Sequence, residues 1–207
     1  MQVLGKYLEI GKINIRHNFL PHWGLAVLIL ILTPVIFGIT KLDEASAAMP
    51  LEMFVSLIGV ILLVPVFLPE QKDEVRGVVE SKYTAHIFVC MTRILYAALV
   101  MSVMVAAFTG LMYKNGCQVT SVHALGTLST AFFLGSMGVL AAGISDNIAV
   151  GYMAPILYYV MNFAGRKYFG CFYLFSMTQK NYGDKLWLFG AGMVMLAAGL
   201  LLGTRKR

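Results

Sequence analysis

One strongly charged stretch lies between two long apolar runs, and this alternation constrains the fold more than any other feature. Residues 69–93 read PEQKDEVRGVVESKYTAHIFVCMTR, and an apolar run that could span a bilayer lies on each side of them. Lipid cannot solvate these charges, so the stretch must lie in water. Pro69 suits a first helical turn, and the acids that follow it suit the positive end of a helix dipole. We therefore predict a short helix over residues 70–82 along the membrane face.

The composition is that of an integral membrane protein. The chain has 207 residues, of which 59% are hydrophobic and only 13% are charged, whereas a soluble domain has about a quarter of its residues charged. The net charge of +6 comes from bases at the ends of apolar runs and at the termini, with no basic stripe interleaved with aromatic residues. Nucleic acid is therefore not an expected partner. No repeat or linker divides residues 1–207, so we expect a single all-α transmembrane domain.

Six apolar segments predict six transmembrane helices with both termini in the cytoplasm. Bases near both termini and in the charged stretch support this orientation by the positive-inside rule. Four bases between residues 166 and 185 would lie outside, against that rule, so a five-span topology with 164–185 inside is the alternative. The predicted spans cover 23–40, 51–68, 87–113, 122–144, 149–163 and 186–203.

The beginning of the chain predicts an amphipathic helix at the membrane surface over residues 1–22. Its apolar side chains share one helical face, while Lys6, Glu9 and Lys12 lie elsewhere on the helix. The apolar face consists of Val3, Leu4, Tyr7 and Leu8.

The predicted fourth span is rich in small residues, which let helix backbones approach closely in lipid. We therefore expect other helices to pack tightly against it. Its Gly-Ser-Met-Gly sequence superficially resembles that of an intramembrane serine protease, but none of the four histidines falls on a later span, so helix packing is the better interpretation of Ser136. The small residues are Gly126, Ser129, Gly135, Ser136, Gly138, Ala141, Ala142 and Gly143.

No catalytic or metal site is expected in this chain. The sequence has no G-x-x-x-x-G-K-[ST] motif for binding ATP and no H-E-x-x-H motif for zinc. Its three cysteines form no C-x-x-C pair. Glu52 is expected at the edge of the second span, where water or a partner can reach it. Since no ionisable group is expected near the middle of a span, a carrier coupled to protons or sodium ions is disfavoured.

The charged stretch also has a characteristic spacing. Glu74, Gly77 and Glu80 form E-x-x-G-x-x-E, which SKYTAHIFVCMTR follows. This pattern resembles the loop between the second and third spans of ABC-2 type transporter permeases. Asn147 followed by Gly151-Tyr152 resembles a turn of the same family, and the resemblance covers about residues 50–165.

The resemblance implies the permease subunit of an ATP-driven ABC exporter in a bacterial cell membrane. Residues 70–82 would be a cytoplasmic coupling helix that docks on a separate ATP-binding cassette ATPase. That partner would bind ATP and Mg and hydrolyse the ATP, so this chain would be neither an enzyme nor the holder of a cofactor. Two permease subunits, identical or different, would form the pathway. The residues that would meet the ATPase are Glu70, Asp73, Glu74, Gly77 and Glu80.

The resemblance further implies that residues 164–184 form short re-entrant helices on the outer face. Cys117 and Cys171 would then both lie outside, where a disulfide is chemically possible, although two free thiols are the expected state. The 13 methionines and 13 phenylalanines suit an amphipathic or lipid-like cargo, such as a peptide, an antibiotic or a lipid, if some of them face the pathway. A secondary carrier or small channel without an ATPase, and a membrane scaffold, are the alternative functions.

Overall fold

The described residues of this computed structural model, 20–71 and 86–205, form an all-helical bundle with no β-strand among them. We number the α-helices α1 (Leu20–Phe37), α2 (Glu44–Met53), α3 (Ile58–Leu63), α4 (His86–Lys114), α5 (Ser121–Ser145), α6 (Ile148–Asn162), α7 (Arg166–Phe169) and α8 (Asp184–Arg205). Short 3-10 helices cover Val55–Leu57, Val64–Gln71, Gly170–Phe172 and Met177–Gln179.

Within residues 20–71 and 86–205, five helices are long and apolar enough to cross a membrane, which agrees with the membrane class predicted from composition. They cover Leu20–Phe37, Glu44–Leu68, Ile87–Lys114, Ser121–Ser145 and Asp184–Gly203. The remaining predicted span is the helix α6, which has only 15 residues. Its length is about 22 Å, less than the hydrocarbon core of about 30 Å. Six complete spans are therefore not confirmed.

The second span begins seven residues earlier than predicted, at Glu44 rather than Leu51. Asp43 has an extended backbone at the N-cap position, and Glu44 lies in the first turn, where the helix dipole favours an acid. The span continues through α3 and becomes a 3-10 helix from Val64, next to Pro65, which lacks a backbone N–H for the α-helical pattern. This early start carries Glu52 away from the end of the span.

The helix α5 is the packing centre of the bundle, as its small residues predict. A Cβ atom added to Gly59 of α3 would lie 1.9 Å from the carbonyl oxygen of Ala131. A Cβ on Gly138 would lie 2.7 Å from the oxygen of Gly151 on α6, and one on Gly143 would lie 2.6 Å from that of Gly199 on α8. Three neighbouring helices thus approach the α5 backbone so closely that only glycine fits.

The helices run between two ends of the bundle, and hydrogen bonds join the loops at one of them. The Lys41 amide donates to the Asn115 carbonyl over 3.1 Å, and the Gln118 amide donates to the Leu42 carbonyl over 2.9 Å. Residues 163–183 lie at this same end, where they form short helical turns and no span. We call this end of the bundle the loop end.

The opposite end contains a tight turn between α5 and α6, at the position where Asn147 and Gly151-Tyr152 carry the family resemblance. Asp146 has a left-handed backbone with a φ of 53°, a conformation that aspartate tolerates better than most residues. The Asn147 side chain then caps α6 by accepting a hydrogen bond from the Ala149 amide over 2.8 Å. The flanks of the charged stretch, which are the 3-10 helix ending at Gln71 and the helix α4 beginning at His86, also belong to this end.

Candidate functional site

A buried ion pair joins the second span to the last helix near the loop end. The Lys185 ammonium lies 2.6 Å from Glu52 Oε1, and the two side chains are 5% and 0% exposed. The prediction that Glu52 lies at a span edge within reach of water is therefore wrong. Lys185, which the predicted span 186–203 leaves outside, lies within the helix α8. Both residues are buried because α2 and α8 begin earlier than their apolar runs and residues 174–178 fold over them.

Every donor of the Lys185 ammonium has an acceptor. Besides Glu52, the nitrogen donates to Thr130 Oγ1 over 2.8 Å and to the carbonyl oxygen of Leu174 over 2.5 Å. A lysine ammonium has three N–H groups and no acceptor, so these three oxygens match its capacity. Such additional hydrogen bonds are what a buried ion pair needs to offset the cost of removing its charges from water.

The Glu52 carboxylate also holds the backbone that covers it. Oε1 accepts a hydrogen bond from the Met177 amide over 2.9 Å, and Oε2 accepts one from the Thr178 amide over 3.1 Å. These amides belong to the first turn of the 3-10 helix Met177–Gln179. Glu52 therefore provides acceptors for donors that a helix start leaves without intrahelical partners.

A third buried side chain, Asn162 at the end of α6, holds the same segment. Its Oδ1 accepts from the Leu174 amide over 2.9 Å, while its Nδ2 donates to the Tyr158 carbonyl over 3.0 Å. Non-helical backbone is tolerated at membrane depth only where its polar groups find partners within the protein. We call the four side chains of Glu52, Thr130, Asn162 and Lys185 the clasp, because together they fix residues 174–178.

A second polar chain connects the buried region to the surface at the loop end. The Thr120 amide donates to His123 Nδ1 over 3.2 Å, which assigns the ring proton to Nε2. That nitrogen lies 3.4 Å from the Tyr182 hydroxyl, which in turn donates to Glu44 Oε1 over 2.7 Å. Burial, together with the hydrogen bond to Glu44, raises the pKa of Tyr182 to about 12. The phenol therefore stays protonated and serves as a donor at neutral pH.

Glu44 also lines an open cleft at the loop end. The cleft has a volume of about 700 Å³, and the other wall is the end of α4 with the loop that follows it. Lys180 lies 3.7 Å from Glu44, and Arg166 forms a 2.9 Å ion pair with Asp184, so the cleft end carries both signs of charge. The lining residues are Glu44, Tyr113, Gly116, Cys117, Gln118, Val119 and Thr120.

The residues predicted to meet an ATPase do not belong to the clasp. Glu70 lies in the 3-10 helix that ends the second span, at the opposite end of the bundle. The other four, Asp73, Glu74, Gly77 and Glu80, lie outside the described residues, as do most of the predicted coupling helix 70–82 and residues 1–19 of the predicted interface helix. These assignments stay predictions.

Sequence reasoning missed all four clasp residues. Glu52 carried a signal, because an acid inside an apolar run is a functional or structural site by default. Lys185 stands directly before an apolar run, a position that predicts a loop residue. Within the described residues, no group of three or more His, Cys, Asp and Glu side chains could hold a metal ion. Cys117 is buried and Cys171 is exposed, and no disulfide joins them; Cys90 is also buried.

Comparison with known proteins identifies no relative, because no family model, curated protein or solved structure matches this chain.

Proposed function

We propose that this chain is the membrane-spanning permease subunit of an ATP-driven ABC exporter, with residues 70–82 as its coupling helix. One observation carries the proposal beyond the sequence resemblance. The Arg93 guanidinium donates through Nη1 to the Val66 carbonyl oxygen over 2.9 Å. Val66 lies just before the charged stretch and Arg93 is its last residue, so the two spans that flank the stretch are tied together where a soluble partner would push.

The packing provides a path for such a push to the rest of the bundle. The second span contacts the α5 backbone at Gly59, where no side chain separates the two helices. The same α5 carries Thr130 of the clasp. Because packed helices move as rigid elements rather than deform continuously, a displacement at residues 70–82 would reach the clasp at the loop end through α3 and α5.

The distribution of bases supports a cytoplasmic position for the charged stretch. Along the sequence, ten of the 16 Lys and Arg residues lie before α1, between the second span and α4, in the first turns of α4, or at the end of α8 and beyond it. The other six lie in the segments that form the loop end. By the positive-inside rule, the end with more bases faces the cytoplasm. The ten are Lys6, Lys12, Arg16, Lys72, Arg76, Lys82, Arg93, Arg205, Lys206 and Arg207, and the six are Lys41, Lys114, Arg166, Lys167, Lys180 and Lys185.

The proposal includes a second permease subunit and an amphipathic or lipid-like cargo. The helix α1 is apolar along its length, yet only 11% of its span is buried within this chain. Such a helix suits contact with lipid or with another permease subunit. Both α1 and the half-exposed α8 offer surface for the dimer that would form the translocation pathway.

A secondary carrier is the second candidate, and the clasp is the observation that favours it. Carriers use ionisable groups buried between spans to bind the coupling ion. The sequence predicts no ionisable group buried within a span. In the structure, however, Glu52 and Lys185 are buried and in direct contact. In a carrier, protonation or cation binding at Glu52 would release Lys185 and free residues 174–178.

Purification from native membranes distinguishes the two candidates. A tagged chain, extracted in mild detergent, should bring a vanadate-sensitive ATPase with it if it is an exporter subunit. When the same preparation is reconstituted in liposomes, it should transport cargo only if ATP is present on the side of the membrane that the ATPase faces. Cargo movement driven by a pH or sodium gradient, without an ATPase in the preparation, would support the carrier and contradict the exporter.

A further inference from the structure

We propose that Glu52, Thr130 and the Leu174 carbonyl form a binding site for a primary ammonium group, which the Lys185 side chain fills in this conformation and which an external primary amine can fill in its place. The physiological role of such an exchange rests on the proposed transport function, because a moving last helix would vacate the site. The site itself does not depend on that function, and its test below involves no transport.

The geometry around the Lys185 nitrogen is that of a site for an ion with three N–H donors. The oxygens of Glu52, Thr130 and Leu174 lie 2.6, 2.8 and 2.5 Å from the nitrogen. They come from α2, from α5 and from the segment before the 3-10 helix Met177–Gln179. None comes from α8, so the helix that supplies the lysine contributes no oxygen to the site.

Contacts that do not involve Lys185 hold each of these oxygens in place. The Met177 and Thr178 amides fix the Glu52 carboxylate. The Thr130 hydroxyl donates its own proton to the Gly126 carbonyl over 3.1 Å, so the ammonium meets a lone pair of the oxygen. Asn162 anchors the Leu174 amide next to the third oxygen. A site organised in this way would pay little to bind a replacement ligand.

Buried polar groups lie along α5 between the loop end and this site. His123, Thr127 and Thr130 are spaced four and three residues apart on α5, so they share one helix face, and they are 1%, 0% and 0% exposed. His123 contacts Tyr182, which donates to Glu44 on the wall of the cleft. These side chains place polar groups on the α5 face that runs from the cleft end towards the site.

A chemical rescue experiment tests the inference directly. The variant Lys185→Ala lacks Cγ, Cδ, Cε and Nζ, and propylammonium supplies the same four heavy atoms. Added to the purified variant, propylammonium should raise the apparent melting temperature saturably, by about 3 °C or more. At equal ionic strength, tetramethylammonium has no N–H donor and propanol has no charge, so neither should do so. No shift, or an equal shift with tetramethylammonium, would overturn the proposal.

Two further variants keep the test decisive. Thr130→Val in the Lys185→Ala background removes one acceptor, so the concentration of propylammonium for half-maximal rescue should rise about tenfold, from the loss of one hydrogen bond to a charged group. If Lys185→Ala does not accumulate, recovery of folded protein only when propylammonium is present during extraction supports the site. Failure to recover it under that condition, although Glu52→Gln/Lys185→Met accumulates, contradicts the site.

Discussion

The Lys185 ammonium at the start of the last helix lies 2.6 Å from the Glu52 carboxylate inside the second span, and both side chains are buried. Each partner also binds the backbone of residues 174–178, Lys185 through the Leu174 carbonyl and Glu52 through the Met177 and Thr178 amides. The pair therefore does more than neutralise two charges, because it fixes the loop segment over the end of the bundle.

Breaking the pair from one side should destabilise the protein strongly. Lys185→Met leaves the Glu52 carboxylate buried without its counter-ion, and Glu52→Gln leaves the Lys185 ammonium buried without its own. Each variant should therefore lower the free energy of unfolding by about 3–5 kcal/mol. The double variant removes both charges and should cost less than the sum of the two. Denaturant unfolding in detergent, followed by circular dichroism, measures all three.

A double variant whose cost equals the sum would show that the two residues act independently. Lys180→Gln is the matched control, because it breaks the exposed pair with Glu44 at the same end of the bundle. Exposed ion pairs contribute little to stability, so the control should change stability far less than either clasp variant.

The contact between α3 and α5 should be intolerant of a single methyl group. Gly59→Ala places a Cβ 1.9 Å from the Ala131 carbonyl oxygen, which belongs to backbone and cannot rotate away. The two helices must separate, and we expect overpacking to lower the free energy of unfolding by about 1–3 kcal/mol. Gly190→Ala in α8 is the control, because its Cβ would meet nothing within 4 Å, and it should leave stability unchanged or slightly raise it. Equal effects would contradict the packing.

A cysteine at position 179 reports which side of the membrane the loop end faces. Gln179 is exposed, and Cys171→Ser removes the one exposed native thiol. In Gln179→Cys/Cys171→Ser, an impermeant maleimide should label intact cells from outside. Labelling only after the cytoplasmic side is opened would place the whole loop end inside, since residues 163–183 lie beside the loops at Lys41 and Asn115, and would contradict the proposed orientation. Cys171→Ser alone is the control for the buried Cys90 and Cys117.

Cys117 and Cys171 should not be joined by a disulfide in the native protein. Cys117 is buried, and its Sγ lies 3.3 Å from the Ile39 carbonyl oxygen, whereas Cys171 is exposed. A thiol count on the denatured, unreduced protein should therefore give three per chain. One free thiol would show instead that two of the cysteines pair.

Much of the helix arrangement follows from local patterns in the sequence. Apolar runs predict where spans lie because lipid requires apolar surface and complete backbone hydrogen bonding. The small residues of α5 predict close packing because glycine alone leaves room for a neighbouring backbone. The turn at Ser145-Asp146-Asn147 is predictable because aspartate and asparagine suit left-handed and capping positions.

The clasp could not be predicted in the same way, because its parts are far apart in sequence. Lys41, Asp43, Glu44 and Pro50 make residues 41–50 look like a loop before a span that starts at Leu51, although the helix begins at Glu44. The sequence around Lys185 predicts a loop residue, but in the folded chain residues 174–178 cover its side chain. Only the folded chain shows that an acid and a base from distant segments meet, since periodicity and hydropathy describe each segment alone.

Association with an ATPase is the most direct test of the proposed exporter function. Glu74→Lys reverses a charge on the predicted coupling helix, and Glu9→Lys makes the same charge change in the predicted interface helix. Tagged parent and variants are purified from native membranes, and the vanadate-sensitive ATPase activity per permease is measured. We expect the parent and Glu9→Lys to retain the ATPase, and Glu74→Lys to lose most of it with an unchanged melting temperature, since charge complementarity sets such docking. A parent chain that purifies without an ATPase, or a Glu74→Lys chain that retains the parent's full activity, would contradict the proposed coupling.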